Sequence, residues 1–130
     1  MSAVTKALSY VSLGLVVGTM SLGGLSGGAM AQEAGWFTAE QVERGADLYE
    51  RRCASCHGDE IAQSFGGTTS SAATIIETII SMGMPQDNPG GLPKQDYTDI
   101  VGYIMNLHGL PEGAAVEADS AELEQIHLPK

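Results

Sequence analysis

With 130 residues, 43% of them hydrophobic, the chain is long enough for one globular domain and too apolar to be a disordered segment. Six Lys and Arg against sixteen Asp and Glu leave a formal net charge of −10. That balance excludes binding to nucleic-acid phosphates and predicts repulsion from anionic lipid headgroups, whereas a partner protein with a basic docking face fits it.

The first residues read as an address. Lys6 supplies a short basic region, an apolar run from Ala7 to Leu22 follows, and Ala29-Met30-Ala31 places small residues where a signal peptidase needs them, before Gln32. A membrane span needs about 20 predominantly apolar residues, and this run is broken by Ser9, Ser12, Gly14, Gly18 and Thr19. Residues 1–31 are therefore expected to be a cleaved signal peptide for export to the periplasm. The alternative, a retained anchor, is the one route to a membrane. Cleavage removes Lys6 and no acid, so the exported part is one unit more negative than the whole.

The remaining chain divides into an expected domain over residues 32–110 and an acidic tail over 111–130. No long alternation of apolar and polar residues marks a strand, so the fold class expected is all-α with about three main helices. The first begins at Thr38: its hydroxyl can cap the amide of Gln41, Gln41 can reach back, and Phe37 can staple onto Val42. Val42, Gly45, Ala46 and Tyr49 share one face, a small notch beside an aromatic where another helix could cross closely.

A second helix is expected from about Ser71 to a stop at Gly83, with Ile75, Ile76, Ile79 and Ile80 as its stripe. Met84 to Gly91 is too rich in proline and glycine for regular structure. The third helix spans roughly Pro93 to Leu107, with proline at its first position, a stripe of Ile100, Tyr103, Ile104 and Leu107, and Gly109 as the stop. The tail has one short helix expected near Asp119 to Ile126; it either docks or stays mobile. A core of about 75 residues is marginal alone, and a buried cofactor would add apolar surface.

The chemistry-bearing motif is Cys53-Ala-Ser-Cys56-His57. Two cysteines on one helical turn can each form a thioether to a haem vinyl group, and the adjacent histidine then reaches the iron. A disulfide, a thioredoxin-like pair and half of a zinc site are the competing readings; the last lacks a second ligand pair, and the second lacks its strand-helix-strand context. One covalently bound haem c is the cofactor expected. For the sixth iron position three methionines compete. Met105 and Met82 continue helix faces, where methionine serves as packing. Met84 stands in the loop, where Pro85 biases it toward an extended backbone; it is the expected ligand, with Met82 as the fallback. His108 and His127 are weaker candidates. Arg51 and Arg52 flank the motif and either meet a haem propionate or simply complement the end of a helix. Trp36 is expected to pack against the first helix. No catalytic motif is present.

With the cysteine-histidine site ending a first helix, a methionine loop, and a last helix carrying Tyr103, the chain over about residues 38–109 resembles class I monohaem cytochromes c. Met84-Pro85, Pro89-Gly90, Leu92, Tyr97–Ile104 and Gly109–Gly113 are more narrowly similar to the cytochrome domains of quinohaemoprotein alcohol dehydrogenases. The resemblance implies haem attachment at Cys53 and Cys56, iron ligation by His57 and Met84, and crossing of the first and third helices. It also implies an electron carrier with a periplasmic dehydrogenase as donor and another cytochrome or terminal oxidase as acceptor. A permanently bound dehydrogenase subunit, and a haem sensor or peroxidase-like protein with an open sixth site, are the alternatives. Residues 58–84 form a shorter wrap than is usual in that family, which predicts a more exposed haem edge.

Overall fold

The computed structural model describes residues 35–129; the expected signal peptide lies outside the described residues. Five helices follow one another: α1 (Ala39–Arg52), α2 (Ala54–His57), α3 (Glu60–Ser64), α4 (Ala72–Ser81) and α5 (Lys94–Leu107). Two short strands, β1 (Gly35–Trp36) and β2 (Gly113–Ala114), pair in parallel with Gly35 opposite Gly113. Among the described residues the fold is all-α apart from this pair and one antiparallel bridge between Ser71 and His127, with α1, α4 and α5 as its long helices.

The start of α1 follows from its sequence. Thr38 Oγ1 accepts from the Gln41 amide at 3.2 Å, and the Gln41 side chain accepts from the Thr38 amide at 3.3 Å, a complete capping box. Ser71 caps α4 through its hydroxyl alone, which accepts from the Thr74 amide. Pro93 stands at the cap position of α5 rather than inside its first turn. Its extended ψ of 143° keeps it out of the helix while its fixed φ still leads the chain in.

α1 crosses α5 where neither presents bulk. A methyl group placed on Gly45 would lie 1.9 Å from the Asp99 carbonyl oxygen, so the two backbones touch through the notch. A second notch sits at Gly102, where an added Cβ would be 2.6 Å from the Phe37 ring. Phe37 holds a positive φ of 63° and is 0% exposed. The α5 stripe is turned relative to expectation: Leu107 is 49% exposed, while Val101 and Met105 are buried alongside Ile100 and Ile104. Phe37, α4 and the chain's end pack against the Val101–Met105 side, which widens the apolar face of α5 beyond one stripe.

The apolar interior has two parts. One gathers Phe37, Ala72, Ile75, Val101 and Met105 with Val116, Leu123, Ile126 and Leu128. The acidic tail therefore docks, burying four apolar side chains between its carboxylates and forming a 3-10 turn at Ala121–Glu124. Ala72 N donates to Ile126 O at 2.9 Å, tying the tail to the start of α4. The other part gathers Tyr49, Ala62, Leu92, Tyr97, Ile100 and Ile104. Trp36, expected against the first helix, packs against the first part of the core, whose buried residues come from α4, α5 and the tail together with Phe37.

A buried polar junction locks α1, α5 and the tail together. Gln41 Nε2 donates to Asp99 Oδ1 at 3.0 Å and to Val116 O at 2.8 Å, and its Oε1 accepts from Val116 N at 2.9 Å. Asp99, 1% exposed, also accepts from Gln95 Nε2 at 3.0 Å and Arg44 Nε at 2.9 Å. A buried carboxylate is tolerable when its lone pairs are filled in this way.

Candidate functional site

The second apolar region opens into a cavity of about 270 Å³. Its walls carry Phe65, Ile79, Leu92, Tyr97, Ile100 and Ile104, with Tyr49 beside them. Cys53, Cys56 and His57, at the junction of α1 and α2, and Met84, from the segment joining α4 to α5, line the same cavity. Three side chains of one pentapeptide and a methionine 27 residues further on thus face one apolar cleft.

Local structure explains the placement. The Cys53 amide donates to Tyr49 O at 2.8 Å, continuing α1, and the His57 amide donates to Cys53 O at 3.0 Å, so the pentapeptide makes one turn of its own. Cys53 is half-buried and Cys56 exposed, and both thiols are free. Burial pushes the Cys53 thiol up from its ordinary range, against the nearby Arg52 guanidinium, which pulls it down. The segment after His57 is fixed by Tyr49, whose hydroxyl donates to Gly58 O at 2.8 Å and accepts from Ala62 N at 3.2 Å. Sequence reasoning placed Tyr49 on the crossing face of α1 and missed this bridge, because it joins residues outside any helical spacing. Burial raises the Tyr49 phenol above its usual value; burial, then Asp59 and Glu50, does the same to Tyr103.

Met84 sits where a thioether can reach into the cleft: its amide donates to Ile79 O at 3.1 Å and its carbonyl accepts from Tyr97 Oη at 2.7 Å. Met82 is 65% exposed and is not among the cleft-lining residues. Met105 is buried in the other half of the core. His108 Nε2 meets Ala62 O at 2.8 Å and His127 Nδ1 meets Thr69 O at 3.1 Å, so both imidazoles are engaged with main chain outside the cleft lining. Arg51 and Arg52 reach the cleft rim from the last turn of α1; Arg51 pairs with Asp47, and Arg52 lies 3.7 Å from Asp87. Exposed pairs of this kind contribute little to stability.

Among the described residues no group of three or more His, Cys, Asp or Glu is arranged to hold a bare metal ion. Apolar walls, two thiols on one turn and an adjacent imidazole fit a flat, largely apolar cofactor attached through sulfur. One family model matches, that described as cytochrome C oxidase, cbb3-type, subunit III, over residues 40–104, half of the chain. The chain belongs to this cytochrome c family. No curated protein and no solved structure matches it. Family membership brings a covalently bound haem c with its iron, and Cys53 and Cys56 stand at the required Cys-x-x-Cys-His spacing. Among the described residues, no helix is long and apolar enough to cross a membrane.

Proposed function

We propose that this cytochrome c domain is a periplasmic single-electron carrier whose haem is bound through thioethers at Cys53 and Cys56, with His57 and Met84 as axial ligands. One observation carries the reading: these four side chains line one apolar cleft, while Met82 lies outside its lining. The bound haem supplies the chemistry, one-electron exchange between ferric and ferrous iron. The chain's own residues orient and insulate it. The α1–α2 junction fixes the two sulfurs, Tyr49 secures the segment behind His57, and Ile79, Leu92, Ile100 and Ile104 exclude water.

A donor such as a periplasmic dehydrogenase and an acceptor such as another cytochrome or terminal oxidase complete the reading, with the similarity to quinohaemoprotein alcohol dehydrogenase domains pointing to the donor. The net charge of −10 favours partners with a basic docking face and brief, salt-sensitive encounters. Exposed Cys56 marks the open side of the cleft, consistent with a short wrap and an accessible haem edge. The tail from Glu112 is occupied in the chain's own core, which weakens a role for it in wrapping a permanent partner.

The test is optical. Ferric holoprotein is expected to show a thioether-to-iron charge-transfer band in the red, lost in Met84→Ala and kept in Met82→Ala. Persistence of the band in Met84→Ala would assign the thioether to another methionine, whereas rapid carbon monoxide binding by the ferrous wild type would favour an open-site haem protein.

A further inference from the structure

We propose that Tyr97 is a positioning residue for Met84: its phenol holds the Met84 carbonyl and so presents the thioether to the cleft. The inference rests on the reading of Met84 as sixth ligand.

Met84 lies in a connection that contains Gly83, Pro85, Pro89, Gly90 and Gly91, a composition that gives the chain little regular hydrogen bonding of its own. Its two main-chain polar groups are nevertheless both committed. The amide donates to Ile79 O, in α4, and the carbonyl accepts at 2.7 Å from Tyr97 Oη, in the first turn of α5. Tyr97 is 1% exposed and its ring forms part of the cleft wall, so the phenol is anchored by packing before it makes the bond. Pro85 follows, buried.

The residue is thus suspended between the two helices that its connection joins. Methionine has three rotatable bonds and adapts to its surroundings; with the backbone pinned at both ends, only side-chain freedom has to be lost on ligation. Pre-organisation of this sort lowers the population in which the ligand has come away. Phenylalanine at position 97 would keep the ring and lose the hydroxyl. One neutral hydrogen bond of ordinary net strength changes such a population by about 3- to 10-fold.

The experiment is an imidazole titration of ferric holoprotein, followed by the shift of the main haem absorption band, which reports imidazole binding with and without Met84. Apparent imidazole affinity scales with the fraction of molecules whose sixth position is open. Tyr97→Phe is expected to raise it about 3- to 10-fold. Thr98→Val removes a buried hydroxyl bond to Lys94 O on the same turn and is expected to leave it unchanged, which separates positioning from general loosening of α5. In a Met84→Ala background Tyr97→Phe is expected to have no effect.

Wild-type affinity in Tyr97→Phe, or an equal rise with and without Met84, overturns the inference while leaving the ligand assignment in place. A wild type with no Met84-dependent band and the same imidazole affinity as Met84→Ala overturns both.

Discussion

Replacing Gly45 with alanine tests whether the α1–α5 crossing is as close as described. The new Cβ would stand 1.9 Å from the Asp99 carbonyl oxygen and 2.9 Å from Tyr103 Cβ. Carbon–oxygen contacts settle at about 3.3 Å or more, so the helices have to part by roughly 1.4 Å along that line. Forcing a methyl group into a packed interface costs about 1–3 kcal/mol, and the upper end applies because the obstacle is helix backbone with no rotamer to give. Alanine returns about 1 kcal/mol through its better helix propensity, leaving a net loss of about 2 kcal/mol. For a domain of this size that lowers the midpoint by about 8–16 °C. Far-ultraviolet circular dichroism of the holoprotein during heating measures it. An unchanged or raised midpoint would refute the packing argument, since alanine at an open helical glycine is expected to stabilise.

The remaining expectations concern other links in the structure. Gln41→Leu strips the junction of an amide serving Asp99 and both main-chain groups of Val116; stability should fall by at least about 2 kcal/mol, and the Val116 amide should lose its protection from hydrogen exchange. Burial raises the Tyr49 and Tyr103 phenols above 10.0 in the folded chain. Their contribution is therefore complete below the unfolded value and lost as pH rises through the folded one, so denaturant midpoints should fall above about pH 10 and fall less steeply in Tyr49→Phe. In the haem-free chain Cys56 should be alkylated before Cys53, because Cys53 is half-buried and its thiol is pushed up; mass spectrometry after brief iodoacetamide treatment reads the order, and preferential labelling of Cys53 would contradict it.

What the sequence made legible was local or periodic. The capping box needs only Thr38 and Gln41, three residues apart, and Gly45 lies on the same helical face as Tyr49, so the crossing notch was visible before any partner was known. The Cys53–His57 pentapeptide named the cofactor because its chemistry is confined to five consecutive positions. The preference for Met84 over Met82 followed from Gly83 and Pro85, and Met84 does line the cleft with the motif. Contacts between distant residues were illegible. Nothing near Gly102 announces that the Phe37 ring lies against it. The Gln41–Asp99 bond spans 58 positions, and both residues look like surface polar groups when read alone. Val116, Leu123, Ile126 and Leu128 carry no regular period among their acidic neighbours, so their shared burial could not be read from spacing. The short α2 and α3 helices were equally hidden, each being too brief for a pattern to repeat.

The division of the interior into two apolar regions bears on how the protein is made. Cys53, Ala54, Leu92 and Ile100 belong to the region that borders the cleft, whereas the tail, Phe37 and Met105 belong to the other; Phe65, Ile76 and Ile79 border both. Before haem is attached, the chain therefore has half of its core supplied by its own side chains, with Phe37 and the tail residues Val116, Leu123, Ile126 and Leu128 closing it. The half that remains to be filled is the one bordered by Cys53 and by exposed Cys56, so attachment completes the core from the side where the thiols stand.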